Sequence, residues 1–297
     1  MKLILGFSIP LLFGNLFQQF YSMVDTMIVG RVLGTGPLAA VGSTGSITFL
    51  IIGFCLGLCS GFAIPVAQRF GSRDYKELRR FIGNAVWLCV GFGIVLTVLT
   101  VIFCHNTLEL MGTPADIIDD AYAYLVVIFA GIPATFLYNM LAGIQRAIGD
   151  SRTPVVILVI ASIINIVLDI VLVVFIPMGV AGAAVATVAS QLIGGVVCLL
   201  YVSKHYEVLK MTREDFKINV PCIKRLLSMG LPMALQTSIT AIGSVILQAS
   251  VNSLGSTVVA SITAGSRLYM FFACAYDAMG VTMSTYSGQN IGARRPR

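Results

Sequence analysis

Three carboxylates of this 297-residue chain sit where carboxylates are expensive. Asp25, Asp169 and Asp277 each lie inside a long apolar run. An ionisable group near the middle of a bilayer costs about 2.5–3.5 kcal/mol on insertion scales, so the usual reason to keep one is function. Asp169 ends the stretch Ser162-Ile163-Ile164-Asn165-Ile166-Val167-Leu168-Asp169. On a helix, Asn165 and Asp169 share one face, one turn apart. A carboxylate and an amide carbonyl then converge on one point, an oxygen set that suits a hard cation. A desolvated carboxylate also takes up a proton readily and so can carry one. The plainer alternative is an Asn–Asp pair that holds two helices together.

Asp25 lies in Tyr21-Ser22-Met23-Val24-Asp25-Thr26, towards the outer part of the first run. It either pairs across a bundle with Asp169 or holds a helix end near the interface. Thr187 follows the small-residue run Gly182-Ala183-Ala184-Val185-Ala186. Small residues let helix backbones approach, which would bring its hydroxyl to the same cluster. Asp277 and Arg267 share the last run. Ten helical residues span about 15 Å, so the two do not meet and each pairs elsewhere or snorkels. Gln18, Tyr138, Asn139 and Gln236 are polar groups suited to lining a substrate cavity, with Gln19 and Gln248 as further candidates. Pro10, Pro133 and Pro232 fall within runs and free backbone groups for such a cavity. Gly53, Gly57 and Gly61 form a ridge at four-residue spacing, read as a close helix contact.

The elements that must position these residues are membrane helices. The chain is 57% hydrophobic and 11% charged, with mean hydropathy +0.93, whereas soluble domains carry about 25% charge. Eight apolar segments appear, at roughly 3–30, 38–67, 82–104, 121–144, 154–176, 179–202, 225–251 and 257–287, each long enough to cross a bilayer as a helix. The basic loop residues fall on one side of this alternation: Lys2, the cluster Arg69 to Arg80, Arg146 and Arg152, Lys204 to Arg225, and the residues after 293. The opposite side holds Arg31 and an acidic loop with Glu109, Asp116, Asp119 and Asp120. Positive charge stays in the cytoplasm, which places the N-terminus there and the chain in the cell membrane as a multi-pass protein.

Several function classes are excluded. The net charge of +6 is explained by loop topology and not by a basic–aromatic stripe for nucleic acid. The seven cysteines lie mostly within apolar runs. Cys55 and Cys59 share a helix face, but no His or further Cys completes a metal set. No cofactor motif and no nucleophile–base pair is present. The N-terminal run is too long, and too interrupted by Gln18, Gln19 and Asp25, for a cleaved signal peptide.

The chain repeats itself. Leu33-Gly34 matches Leu254-Gly255 at an offset of 221, and Ala39, Gln68, Gly71 and Arg73 match Ala260, Gln289, Gly292 and Arg294 at the same offset. Pro10 matches Pro232 with one residue of slip. The copies start six helices apart, so both enter the membrane in the same direction, as in folds that place the substrate path between halves. The expected organisation is a first six-helix lobe (1–202), a cytoplasmic linker (203–224) and the first two helices of a second lobe (225–297). Four further helices would complete that lobe, giving about 440 residues, so the sequence reads as a fragment.

Together these stretches resemble the multidrug and toxic compound extrusion (MATE) family, its DinF-like members in particular. The resemblance rests on Val24-Asp25-Thr26-Met27-Ile28-Val29-Gly30-Arg31, Gln145-Arg146-Ala147-Ile148-Gly149-Asp150, Asn165-x-x-x-Asp169, Gly179-Val180-Ala181-Gly182-Ala183-Ala184 and Gly288-Gln289-Asn290-Ile291-Gly292-Ala293. It implies an all-α exporter of two six-helix lobes that works as a monomer, exchanging H⁺ or Na⁺ for small organic, often cationic, compounds. It also implies a first-lobe cation site at Asp25, Asn165, Asp169 and Thr187. The segment Leu226 to Val251 has no acidic residue, which departs from relatives with a second-lobe carboxylate there. Two rivals are kept: a lipid-linked oligosaccharide flippase, expected to have a strongly cationic cavity, and an intramembrane enzyme using Asp25 and Asp169 as an aspartyl pair.

Overall fold

The structure, a computed structural model, describes residues 2–252 and 256–294, with side chains placed except at 245, 248–264, 266–268 and 271. The side chains of Gln248 and Arg267, and residues Arg295 and Arg297, therefore lie outside the described residues.

The described chain is helical almost throughout. Its elements are α1 (Lys2–Val32), α2 (Thr35–Ser43), α3 (Gly45–Gly71), α4 (Tyr75–Ile102), α5 (Cys104–Leu110), α6 (Ile118–Ala130), α7 (Ile132–Ala147), α8 (Arg152–Asp169), α9 (Gly179–His205), α10 (Val220–Asn252) and α11 (Ser256–Gly292). A π-helical turn, Ile170–Phe175, follows α8, and a 3₁₀ turn, Glu207–Leu209, follows α9. Among the described residues, six helices are long and apolar enough to cross a membrane, and α6 with α7 forms a seventh span bent by 46°. Their outward faces carry large apolar side chains such as Phe13, Trp87, Ile94, Val98 and Leu200. A helix presents apolar groups outward when lipid is the solvent.

The segment boundaries differ from the sequence reading where polar or flexible residues interrupt a run. The second apolar segment divides at Thr44 into α2 and α3. The fourth bends at Gly131, two residues before Pro133 at the start of α7. Pro cannot donate a backbone hydrogen bond, which is tolerated at a helix start. Pro10 and Pro232 stay within α1 and α10. Arg146 lies inside the last turn of α7, not in the following loop.

The helices pack around α3 and α9. The α3 helix lies along α10 over the longest contact, and also against α7 and α11. The α9 helix packs on α6, α7 and α8, while α1 bridges α8 and α11. The glycine ridge of α3 makes the α10 contact. A Cβ added at Gly57 would lie 2.6 Å from Ala234 Cα, and one at Gly53 would lie 2.9 Å from Thr237 Cγ2. At Gly61 it would collide with the Gly230 backbone. All seven cysteines are buried and free.

The polar stretch between α9 and α10 is docked on the helix ends. Asp215, 5% exposed, accepts hydrogen bonds from Thr212 N and Oγ1 (both 2.8 Å) and pairs with Arg79 at 3.5 Å. Buried Asn84 on α4 accepts from Asn219 N (2.8 Å) and donates to Lys217 O (3.3 Å), and Trp87 Nε1 donates to Phe216 O (2.9 Å). Asp150 ties the α7–α8 loop to the end of α9. Its Oδ1 accepts from Arg152 N (2.9 Å) and Thr153 N (3.0 Å), capping α8, and its Oδ2 accepts from the Tyr206 hydroxyl. Burial alone would raise this carboxyl, but the donors Thr153, Tyr206 and Arg152 outweigh it and hold it below the usual carboxylate range. A depressed carboxyl stabilises the fold above its unfolded pKa of ~3.9, and that contribution disappears as pH falls through the lower folded value. Asp150→Ala removes a cap worth about 1 kcal/mol and a charge-assisted hydrogen bond worth about 1.5–3 kcal/mol. It is expected to lower the unfolding temperature at pH 7, with the gap to wild type closing in acid below the carboxylate range. Scanning fluorimetry across pH checks this.

Candidate cation site and adjoining cavities

Asp169 occupies the last position of α8, at the junction with the π turn. The turn runs Ile170-Val171-Leu172-Val173-Val174-Phe175, rich in β-branched residues that weaken the α-helix. Single π turns inside helices occur often at functional sites. The α9 helix approaches this turn through Gly182, where an added Cβ would lie 2.9 Å from Leu172 O. The small residues that follow keep α9 close to α8 and carry Thr187 to the level of Asn165. Asn165 Nδ2 donates to Thr187 Oγ1 at 3.5 Å, and Thr187 Oγ1 donates to Ala183 O at 3.0 Å.

From α1, Asp25 lies within electrostatic reach of Asp169. The structure therefore brings all four predicted residues of this set together. Asp169 is 0% and Asn165 1% exposed, whereas Asp25 and Thr187 are half-buried. Both Asp169 oxygens, Asp25 Oδ1 and Asn165 Oδ1 are buried without a protein hydrogen-bond donor. Burying an acceptor without a partner costs roughly 1–3 kcal/mol, and more for a charged one. Four buried oxygens with no donor, on residues of one cluster, are groups that a proton or a hard cation would satisfy. Among the described residues no group of three or more His, Cys, Asp or Glu could hold a metal ion, so this oxygen set contains two carboxylates and no thiolate or imidazole.

Tyr21 on α1 and Tyr124 on α6 lie within electrostatic reach of both carboxyls. Sequence reasoning missed Tyr124. Asp119 and Asp120, shortly before it, read only as part of an acidic loop, and no spacing rule links it to Asp169.

One cavity adjoins the cluster, and a second adjoins the first. The first, of about 410 Å³, lies between α1, α3, α7, α8, α9 and α11 and is lined by Gln18, Tyr21, Tyr138, Asn139 and Asn165 among others. Asn165 thus borders both the cation cluster and this space. Tyr138 OH donates to Pro154 O (3.2 Å), and Asn139 Nδ2 donates to Thr135 O (2.8 Å). The second, of about 510 Å³, lies between α3, α7, α10 and α11 and takes in Gln236. The four predicted cavity residues are therefore divided, three to one. Arg146 and Asp277 border both spaces. The sequence assigned Arg146 to a loop and left Asp277 without a place.

Comparison with known proteins agrees with this architecture. The family model for MatE matches residues 10–171 and 232–297, blocks that open at Pro10 and Pro232, the pair marked by the internal repeat. The probable multidrug resistance protein YoeA of Bacillus subtilis (strain 168) is 31% identical over 294 residues, covering 97% of this chain and 64% of that protein. DNA damage-inducible protein F of Escherichia coli (strain K12) is 27% identical over 299 residues, covering 97% of this chain and 63% of its own. A solved structure described as the outward-facing conformation of a multidrug resistance MATE family transporter superposes with a TM-score of 0.93 at 26% identity, over 99% of this chain and 65% of that one. The chain thus spans about two thirds of the length of these relatives. On the matched family model, the helix order and the repeat, this chain belongs to the MatE family of multi-pass membrane transporters.

Proposed function

We propose that this chain serves secondary active multidrug efflux: it exports organic, often cationic, compounds in exchange for H⁺ or Na⁺. The observation that carries this reading is the group of donorless buried oxygens at Asp25, Asn165 and Asp169, beside a cavity that Asn165 also lines. Thr187 completes the set through its hydrogen bond with Asn165. Binding of the coupling ion relieves the cost of the buried carboxyls. It also draws α1, through Asp25, towards α8. Both Asp25 and the cavity residue Gln18 sit on α1, so a shift of α1 reshapes the space that holds substrate. Ion and substrate then exclude one another, and the cavity alternates between the two membrane faces. The proposed setting is the cell membrane, with the N-terminus cytoplasmic and the protein monomeric.

The flippase alternative expects a strongly cationic cavity. Here the charged groups bordering the two spaces beside the cluster are one arginine and one aspartate, which favours the efflux reading. The feature on the flippase side is a separate, larger cavity of about 1210 Å³ lined by Lys2, Arg73, Asp150 and Arg152 among others. For the intramembrane enzyme alternative, the neighbouring carboxyls of Asp25 and Asp169 are the relevant feature. Asp169 is fully buried, out of reach of a peptide bond, and two of the proteins named above, YoeA and the solved MATE structure, are described by multidrug resistance or transport.

The test is dye efflux by the full-length protein in proteoliposomes, with a pH gradient and a Na⁺ gradient imposed separately. Efflux driven by one gradient and abolished on its collapse is expected. Transport indifferent to both gradients would overturn the reading.

A further inference from the structure

Arg146 and Asp277 are the charged side chains, among the described residues, that line the two cavities, and each borders both. Neither is neutralised within the described protein. Among the described residues the Arg146 side chain makes no ion pair and no hydrogen bond, and its electrostatic neighbours are Tyr138, Cys59 and Cys198, none of them a carboxylic acid. Asp277 likewise has no cationic partner among the described residues; its electrostatic neighbour is Cys274.

The fold makes room for the arginine. Arg146 sits in the last turn of α7, where the helix dipole favours a cation. One turn earlier is Gly143, and Arg146 Nη2 lies 3.9 Å from where a Cβ on that glycine would be. The guanidinium therefore folds back over a position with no side chain and borders the cavity. Asp277 borders the same spaces from α11. A cavity walled mainly by apolar and uncharged polar groups is thus bordered by one guanidinium and one carboxyl group. In such surroundings an unpaired guanidinium is best satisfied by a planar anion, which it binds through two parallel hydrogen bonds.

We infer that Arg146 and Asp277 read the charge of the substrate: Arg146 holds a carboxylate or similar anionic group, Asp277 holds a cationic one, and the cavity prefers zwitterionic aromatic amphiphiles to simple cations. This deepens the efflux reading and rests on it. Arg146 is then a specificity-determining residue, separate from the Asp25–Asp169 ion cluster.

The experiment compares two forms of one dye, a rhodamine ethyl ester that is permanently cationic and its free acid, zwitterionic at neutral pH. Binding of each to the purified full-length protein is followed by fluorescence anisotropy. Wild type is expected to bind the free acid severalfold more tightly than the ester. Arg146→Gln should weaken the free acid about tenfold, which is 1.4 kcal/mol, and change the ester less than twofold. The retained ester affinity shows that the variant is folded. Arg146→Lys should keep part of the preference, because charge remains while the planar fork is lost. Asp277→Asn should weaken both forms. A wild type that binds neither form or both equally, or an Arg146→Gln protein that weakens both alike, would overturn the inference. Gradient-driven efflux of the ester is measured in parallel. Its absence, with the binding difference intact, would count against export and not against charge reading.

Discussion

Asp169→Asn is expected to reduce gradient-driven efflux about a hundredfold, the upper end of the 1–3 kcal/mol over which two ligands are typically coupled. The substitution keeps the volume of the side chain and removes the charge that an entering cation would neutralise. Asp169 carries two of the four donorless oxygens and is completely buried, so no other group or solvent replaces it. Asp25→Asn should act in the same direction with smaller effect, because Asp25 is half-buried and contributes one orphaned oxygen. Thr187→Ala should cost least, since its hydroxyl meets Asn165 at the long distance of 3.5 Å. In every case dye binding without a gradient should survive, because the two carboxyls lie behind Asn165 and not on the cavity wall. Equal loss of binding and of coupling in Asp169→Asn would make the residue structural.

The second large effect concerns the α3–α10 seam. Gly57→Val is expected to destabilise the protein by several kcal/mol, or to prevent its recovery from detergent as a single species. Overpacking a close contact costs about 1–3 kcal/mol even where side chains yield, and here the obstacle is backbone. The added Cβ at Gly57 would lie 2.6 Å from Ala234 Cα and 2.8 Å from Met233 O. At Gly53 the neighbour is the side chain of Thr237, which can move, so Gly53→Ala should be milder. Gly91 on α4 supplies the control: it is exposed, and a Cβ added there would meet nothing within 4 Å. Gly91→Ala should be neutral or stabilising by up to ~1 kcal/mol through helix propensity. Size-exclusion profiles and thermal unfolding would rank the three variants.

Both effects are legible in the sequence, for different reasons. The Asn165-x-x-x-Asp169 pair and the glycine ridge are each contained in one helix, where spacing alone fixes the shared face. Hydropathy locates the spans, because lipid requires apolar length regardless of packing. The features that escape depend on contacts between distant segments. The π turn after Asp169 contains no glycine or proline to announce it. The division of the second apolar run at Thr44 falls in the short polar stretch Gly42-Ser43-Thr44-Gly45-Ser46, too brief to end a span when hydropathy is averaged over its whole length. The polar stretch around Asp215 reads as a solvated connector, yet Asn84 and Trp87 on α4 hold it through its backbone. Arg146 shows the same limit. A cation at a helix end resembles a loop anchor until Gly143, one turn earlier, reveals the space into which it folds.

The central claim is that coupling ion and substrate compete through the Asp25–Asp169 cluster. The most direct measurement is cation release on adding the rhodamine ester to the full-length protein in weakly buffered detergent solution, followed with a pH indicator and a Na⁺-selective electrode. The account predicts that dye binding releases H⁺ or Na⁺ from wild type and neither from the Asp25→Asn/Asp169→Asn protein. Release of the same size from both proteins would contradict it.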